Sequence, residues 1–430
     1  MTRCLLLLLA MTASILAACT AREPSPGDAT PPSAPARHLY VFAGHSASPG
    51  AGGHMHAPVT DSSQPSDFLA VIDVDSSSPT YAQVLQVLHT GDRGSMPHHT
   101  EMVMPDSGWP FAANAYLAEA TYLIDVRQPT APVLAGRIDP VPGHRYPHSF
   151  ARLPNGDLLG TYQFGDGRMK GDPGALARFT RDGKLIQFRS AADSAFAGQA
   201  LRTYSLDVSP ATDLVLTTSV AMDPTDTTSA DVVQLWRLSD LTLLRTMALP
   251  KSVGGSTSRY PFEVRFLPDG RHALLNTYYC GFYLLSGLDG STPSVEPVLS
   301  LSHPQHIGCA VPLLVGRWWI VPVASTREYH VYEVSDPRRP RRRSVLAADS
   351  SFEPHWIARD PGSDRLVMTA EGPQPGVRLA RFDTATGALT WDNRFRERAD
   401  GAPGIRFDRA TWPDGHAGRA APHGAIFSRR

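Results

Sequence analysis

One internal repeat constrains the fold of this chain more than any other feature of its 430 residues. A phrase recurs in which a strand-like run, a turn proline and a second strand-like run follow one another, as in YPHSFARLPNGDLLGTY (146–162). The turn proline aligns six copies, at Pro105, Pro154, Pro210, Pro268, Pro312 and Pro361. The positions six residues before these prolines, and the start of an incomplete seventh copy, are His99, His148, Tyr204, Phe262, His306, His355 and His423. Their mean spacing is 54 residues, which is close to the roughly 40–50 residues of a β-propeller blade with inserted loops.

A second phrase falls between the copies of the first, as in TYLIDVRQPTAPVLAG (121–136) and VYEVSDPRRPRRRSVL (331–346). Two alternating hairpins per repeat are typical of a four-stranded propeller blade. The 35 Gly and 38 Pro residues suit short strands joined by turns. The sequence therefore predicts an all-β fold, a seven-bladed β-propeller over residues 38–430, with an open β-solenoid or a pair of β-sandwiches as the alternatives.

The incomplete last copy predicts how the ring closes. PHGAIFSRR (422–430) ends before its turn, whereas HLYVFAGH (38–45) and FLAVIDV (68–74) are strands without an inner hairpin of their own. In a propeller, N-terminal strands can complete the C-terminal blade, whose inner strand would otherwise present an unpaired edge. We therefore expect residues 38–75 to supply the outer strands of the blade that His423 begins.

Five of the seven aligned positions are histidines, namely His99, His148, His306, His355 and His423. Because the chain has only 16 His in 430 residues, random placement would put about a quarter of one histidine at seven positions. Equivalent positions on the innermost strands of a propeller converge on the central channel. Gathered imidazoles favour Cu, Zn, Fe or Ni over Ca or Mg, so the pattern predicts a transition-metal site.

Each histidine also has a structural interpretation, as a hydrogen-bonded residue at the start of a strand. His306 follows Gln rather than Pro and is the weakest candidate ligand. His98 adjoins His99, and strand alternation sends their side chains to opposite faces unless a bulge intervenes. Glu101 shares the face of His99 and is a weak catalytic candidate, with a plain salt bridge as the alternative. We interpret the His45, His54 and His56 group as an exposed or rim feature of a Gly-rich loop.

The first 18 residues (1–18) predict a signal peptide. Arg3 provides the positive start, and an apolar core of 14 residues runs from Leu5 to Ala18. This core is shorter than the roughly 20 residues that span a bilayer. LAAC ends on Cys19 and resembles a bacterial lipobox, with an Ala-x-Ala cleavage site as the alternative. Residues 19–37 then form a lipidated N-terminus and a Pro-rich tether, and Thr20 in place of Asp favours the outer membrane over the inner one.

Charge and cysteine content exclude some function classes. Lys+Arg 40 against Asp+Glu 41 is balanced, and the basic run from Arg338 to Arg343 is short, so no nucleic-acid partner is expected. The sequence contains no CxxC motif and no phosphate-binding glycine loop between a strand and a helix. Cys280 and Cys309 lie in different predicted blades, and we interpret them as two separate buried thiols rather than a disulfide.

Several blocks resemble the selenium-binding protein and methanethiol oxidase family. They are PHHTEMVMPDSGW (97–109), PHSFARLPNGDLLGTYQFGDG (147–167), PFEVRFLPDGRHALLNTYYCGFYLL (261–285) and APHGAIFS (421–428). The resemblance implies a propeller that uses copper to oxidise small thiols. Its metal positions correspond to His98 or His99, His148 and His423, whereas only the ring argument supports His355. After Trp109, where the family carries a cysteine-rich motif, this chain reads PFAANA, so no role of that motif transfers.

Together these observations lead to one hypothesis and two rivals. The first is a periplasm-facing lipoprotein with a His-lined copper site, acting as an oxidoreductase on a small compound, with the lipid anchor as its only membrane contact. The second is a non-catalytic propeller lipoprotein that binds a partner through its rim. The third is a lactonase- or phosphatase-type propeller with Ca in its channel, and it ranks last because the aligned positions hold no carboxylate.

Overall fold

Seven small antiparallel sheets form a ring, so the protein is a seven-bladed β-propeller, as predicted. The structure is a computed structural model, and it describes residues 35–45, 65–106, 108–166, 172–222, 229–251, 260–290, 292–301, 308–372 and 374–429. Only two single-turn 3₁₀ helices occur in these ranges, Ser194–Phe196 and Pro210–Thr212. None of the helices in these ranges is long and apolar enough to cross a membrane.

Each blade runs from an innermost strand at the channel to an outermost strand at the rim, and blades are numbered from the first aligned histidine. The first two blades contain β4 (Pro97–Thr100), β5 (Phe111–Ala115), β6 (Ala120–Asp125) and β7 (Val133–Ile138), then β8 (His144–Arg152), β9 (Leu158–Gly165), β10 (Ala175–Phe179) and β11 (Leu185–Ser190). Blades 3 and 4 contain β12 (Thr203–Ser209), β13 (Leu214–Ser219), β14 (Val232–Arg237) and β15 (Leu243–Ala248), then β16 (Pro261–Phe266), β17 (Ala273–Thr277), β18 (Gly281–Ser286) and β19 (Ser294–Ser300).

The remaining blades complete the ring. Blades 5 and 6 contain β20 (Leu313–Val315), β21 (Trp318–Val323), β22 (Glu328–Glu333) and β23 (Arg341–Ala347), then β24 (Glu353–Arg359), β25 (Arg365–Glu371), β26 (Gly376–Asp383) and β27 (Ala388–Trp391), with β28 (Ile405–Arg406) paired to β26. Blade 7 contains β29 (Ala420–Phe427), β1 (His38–His45), β2 (Phe68–Asp73) and β3 (Val84–His89), in that order from channel to rim.

Blade 7 therefore joins the two ends of the described chain. β1 pairs antiparallel with β29, with Tyr40 opposite Ile426 and Val41 opposite Ala425. This confirms the predicted closure by residues 38–75. The outermost strand of the blade, β3, lies beyond the predicted pair, since a four-stranded blade with one C-terminal strand needs three strands from the N-terminal side.

The core lies between neighbouring blades, where apolar side chains from facing sheets pack together. One such cluster joins Leu216 and Leu235 of blade 3 to Val264 and Tyr283 of blade 4. The outermost strands show the opposite pattern, because one of their faces meets solvent, and Val133 and Ile186 are 53% and 48% exposed. Burying a side chain such as Leu or Val contributes about 1.5–3 kcal/mol, so each blade is stabilised mainly by its neighbours.

Cys280 and Cys309 form a disulfide, with their Cα atoms 5.2 Å apart. The prediction of two separate thiols was wrong. Cys280 lies in the tight turn before β18 of blade 4, and Cys309 lies ahead of β20 of blade 5, where it bridges Val323. Neighbouring blades bring the two turns together, although 29 residues separate the cysteines in the sequence.

Candidate metal centre

Bulges at the starts of the innermost strands direct the aligned side chains into the channel. The pairing register shifts between Pro97 and Thr100 in blade 1, between Pro147 and Phe150 in blade 2, and between Pro354 and Ile357 in blade 6. A bulge opposes an extra residue to the partner strand and changes where side chains point.

The bulge in blade 1 brings both members of the histidine pair to the centre. The rings of His98 and His99 stack with their centroids 4.3 Å apart and their planes 7° apart. Regular alternation would separate their side chains, but β4 is not regular at this point. The bulge that the sequence interpretation named as the exception is present.

Five imidazoles meet on this axis in the predicted blade order. Centroid distances are 4.2 Å from His355 to His423, 4.0 Å from His423 to His98, and 4.5 Å from His98 to His148. All five are buried, with exposures between 0% and 4% for His98, His99, His148, His355 and His423. One potential ligand atom from each of His98, His99 and His423 lies within 4.8 Å of the others. This arrangement can hold a transition-metal ion.

Polar side chains on the second strands of blades 1, 2 and 6 bond to the backbone of the channel strands. The Asn114 amide oxygen accepts from the backbone N–H of His99 at 2.7 Å, and its nitrogen donates to the Pro147 carbonyl of the next blade at 2.7 Å. The Thr161 hydroxyl accepts from Ser149 N–H at 3.0 Å and donates to a carbonyl of blade 3. The Thr369 hydroxyl donates to the His423 carbonyl at 2.9 Å. Asn114 and Thr161 each link the channel strands of two neighbouring blades, and Thr369 links the second strand of blade 6 to the channel strand of blade 7.

Ser149 orients two of the imidazoles. Its Oγ lies 3.0 Å from His99 Nδ1 and 2.9 Å from His148 Nδ1. The Nε2 atom of His148 lies 2.8 Å from Nε2 of His98. His99 Nε2 is buried and has no hydrogen-bond partner. Because metal-binding imidazoles are commonly held by a hydrogen bond at the other ring nitrogen, His99 has the surroundings of a ligand.

Burial and mutual repulsion favour neutral imidazoles. Desolvation, followed by the neighbouring His148, His423 and His355, holds the pKa of His99 well below its usual value. A neutral imidazole is the form that binds a metal ion.

Glu371, at the end of β25, adds a carboxylate to this group. Its Oε1 lies 3.5 Å from His423 Nε2 and 3.9 Å from His355 Nε2. Burial, and secondarily the nearby Glu353, raises the pKa of Glu371 to about 8. His355, Glu371 and His423 also satisfy the spacing of a metal-binding group, which overlaps the first through His423.

The opposite arc of the channel is aromatic, as the aligned positions require. The Tyr204 ring lies 3.6 Å from His148, and Phe262 lies 4.9 Å beyond Tyr204. Trp356 packs against His99 at 5.0 Å and donates its ring N–H to the Ala425 carbonyl at 2.9 Å. Aromatic walls of this kind restrict water and fix the imidazole orientations.

A cavity of about 250 Å³ reaches the cluster at His99. Its wall contains Glu101, whose carboxylate is held by Arg152 at 2.6 and 2.9 Å and accepts the backbone N–H of Ala112. Glu263 and Arg265 form a second buried ion pair there, at 2.8 Å. Glu101 is thus in a salt bridge, the structural alternative that its position in the sequence allowed.

Comparisons with known proteins point to one family. No protein-family model matches the chain. Methanethiol oxidase from Homo sapiens is 23% identical over 397 residues, which cover 76% of this chain and 79% of the human protein. A hypothetical selenium-binding protein from Sulfolobus tokodaii superposes with a TM-score of 0.72 at 14% identity, covering 92% of this chain and 94% of that one. The resemblance to the selenium-binding protein and methanethiol oxidase family is confirmed.

Other propellers share the architecture at lower similarity. The periplasmic gluconolactonase PpgL from Pseudomonas aeruginosa superposes with a TM-score of 0.58 at 14% identity, covering 91% of this chain and all of that protein. This likeness concerns the fold alone.

Other residues that the sequence analysis named do not belong to the central group of five histidines or lie outside the described residues. His306, His54, His56 and Cys19 lie outside the described residues. His45 is 5% exposed rather than solvent-facing.

The sequence interpretation missed Ser149, Glu371 and the bridging polar side chains Asn114, Thr161 and Thr369. The bridging residues occur 13 to 15 positions after the aligned residue of their blade, and this recurrence could have identified them.

Proposed function

We propose that this protein is a copper-dependent oxidoreductase that acts on a small sulfur compound. The observation that carries the proposal is the convergence of ligand atoms from His98, His99 and His423 within 4.8 Å on the propeller axis. An imidazole-rich set suits copper in both of its common oxidation states. The likeness to human methanethiol oxidase supports a thiol or related compound as the substrate class.

The cavity next to His99 suits a small and largely uncharged substrate. Arg152 neutralises Glu101 and Arg265 neutralises Glu263, while burial raises the pKa of the third acid in the wall, Asp207. Met102, Val311 and Trp356 supply apolar and polarisable surface. Thioether and aromatic groups make favourable contacts with sulfur. The substrate would therefore enter along this cavity and meet the cluster at His99.

Copper, when bound, would supply the electron-accepting chemistry that protein side chains lack. The chain's own residues would position the ligands and handle protons. Ser149 fixes the rings of His99 and His148, and Glu371 Oε1 is placed to hold a proton next to His423. Trp356 and Tyr204 limit the access of water to this chemistry.

Metal loading of the purified protein tests the proposal. Competition with a chromophoric chelator should show copper bound at the centre, and His148→Ala and His423→Ala should each weaken it at least 10–100-fold, since even outer-shell changes cost that much. His330→Ala is the matched control, because this buried histidine bonds Glu328 and Tyr332 on the third strand of blade 5. Oxygen consumption with small thiols should fall in the same two variants.

Two results would contradict the proposal. If copper affinity is unchanged in both His148→Ala and His423→Ala, the copper site does not lie on the propeller axis. A wild-type protein that stays free of copper after loading, and is not stabilised by it, would leave a non-catalytic propeller that binds a partner.

The proposed location is the periplasmic side of the outer membrane, through lipid on Cys19. The support is the signal-peptide pattern and the LAAC sequence that ends on this cysteine. Cys19→Ala should abolish incorporation of labelled palmitate and release the protein from the membrane fraction. Equal labelling of the variant would refute the lipid anchor.

A further inference from the structure

A second histidine cluster lies on blade 7, where the two ends of the described chain meet. His45 is the last residue of β1 and His89 is the last residue of β3. Asp414 and His416 belong to a turn that lies a few residues before β29. The backbone N–H of Trp412 closes this turn by donating to the His416 carbonyl. This rim cluster, His45, His89, Asp414 and His416, shares no residue with the central site.

The rim cluster has the dimensions of a metal site. The Asp414 carboxylate lies 2.7 Å from His89 Nε2 through one oxygen and 2.5 Å from His416 Nδ1 through the other. Ligand atoms of these three residues all fall within 4.8 Å of one another. His45 is the neighbouring imidazole, with its ring 5.1 Å from the His416 ring.

Two buried ring nitrogens in the cluster have no hydrogen-bond partner. His45 Nδ1 lies 3.1 Å from the Arg419 carbonyl, and since a carbonyl can only accept, Nδ1 carries the proton. In neutral His45 the lone pair is then on Nε2, which is buried and without a partner. His416 differs, because its Nδ1 faces the Asp414 carboxylate, whereas its unpartnered Nε2 lies on the far side of the ring from that carboxylate.

A buried nitrogen without a hydrogen-bond partner destabilises the folded protein, because the nitrogen has lost its hydrogen bond to water. A ring whose far nitrogen donates to a carbonyl or carboxylate is the usual environment of a metal-binding histidine. The unpaired Nε2 of the buried His45 ring, next to this group, is therefore the observation that points to a ligand.

An aromatic wall surrounds the cluster. The Phe68 ring lies 5.3 Å from His45, 5.4 Å from His416 and 6.1 Å from His89. Trp412 stacks on His416 with an interplanar angle of 9° and contacts Phe68 at 4.6 Å. These rings shield one side of the group and restrict the orientation of its imidazoles.

We propose that the rim cluster binds a divalent transition-metal ion of the zinc class. Two imidazoles and one carboxylate, with the His45 imidazole beside them, are nitrogen and oxygen donors of the kind that Zn²⁺ favours, and they do not suit Ca²⁺ or Mg²⁺. With His45 as the fourth donor the site would have no open position, which is typical of structural rather than catalytic zinc. The ion would tie β1, β3 and the turn before β29 together, and so lock the closing blade.

Cobalt and zinc binding to the full mature chain test the proposal. After metal removal, Co²⁺ should develop the visible absorption of a tetrahedral site, and Zn²⁺ should displace it. His416→Gln and Asp414→Asn should each weaken this binding at least tenfold. His272→Gln is the matched control, because His272 pairs with Asp269 at 2.6 Å on another blade without a second imidazole.

The central-site variant His423→Ala separates the two centres. It should retain the cobalt spectrum of the rim cluster, whereas His416→Gln should retain copper at the centre. A spectrum that is lost in His423→Ala and kept in His416→Gln would overturn the proposal.

The wild-type protein provides a test that does not depend on the folding of variants. Zinc should raise its melting temperature and a chelator should reverse the rise, since a ligand that binds only the folded state stabilises it. The same zinc addition should raise the melting temperature of His416→Gln by less than that of the wild type, since only the central site is then left to bind zinc. A wild-type melting temperature that is indifferent to zinc and chelator would also overturn the proposal.

Discussion

Substitution of Arg365 should lower the free energy of unfolding more than most substitutions in the propeller, because its guanidinium joins both ends of the described chain. Its Nη2 donates to Asp360 at 2.7 Å and to the Ala36 carbonyl at 2.6 Å, and its Nη1 donates to the Val74 carbonyl. It also lies 5.6 Å from the ring of Phe427 in β29. One side chain of blade 6 thus holds residues before β1, after β2 and near the end of β29.

The pair is buried, with side-chain exposures of 7% for Arg365 and 1% for Asp360. Arg365→Met removes the cation with little loss of volume and leaves the Asp360 charge without its partner. Two backbone carbonyls lose their donor as well. Breaking a buried pair in this way costs about 3–5 kcal/mol, so we expect the free energy of unfolding to fall by that amount.

Urea unfolding followed by tryptophan fluorescence and circular dichroism measures the loss. Arg237→Ala is the control, because its pair with Asp240 is exposed at 45% and 48%, and such surface pairs contribute about 0–1 kcal/mol. The double variant Asp360→Asn with Arg365→Met should recover part of the loss, since no buried charge is left alone. An Arg365→Met protein that unfolds like Arg237→Ala would refute the reasoning.

Two further predictions concern ring closure and the disulfide. Deleting residues 38–75 should leave β29 unpaired and cause aggregation in light scattering, and a truncated protein that melts like the full-length chain would contradict the closure. Cys309→Ser should lower the free energy of unfolding by about 3–4 kcal/mol for a loop closed over 29 residues. Reductant should destabilise the wild type and leave this variant unchanged in the same unfolding assay, and equal sensitivity of both would argue against the bond to Cys280.

The fold and the positions of the central histidines follow from the sequence alone. The turn proline aligns six copies of the repeat, and the incomplete seventh copy begins in the same way. Equivalent positions in these copies lie around one axis, even though the loops of the blades differ in length. Because periodic patterns are local and repeat, they are sufficient to assign His99, His148, His355 and His423 to the channel. The unfinished copy at His423 likewise required strands from the other end of the chain.

The tertiary structure decided the features that depend on two strands or two blades at once. A bulge is a property of a strand pair, so only the pairing of β4 and β5 brings His98 to the same side as His99. The disulfide between Cys280 and Cys309 exists because turns of neighbouring blades meet.

The rim cluster depends on packing in the same way, since it combines β1 and β3 with a turn more than 300 residues later in the chain. Glu371 joins His355 and His423 from a second strand that the alignment of innermost strands does not cover. Distances across blades are set by side-chain packing, which no local pattern in a single sequence encodes.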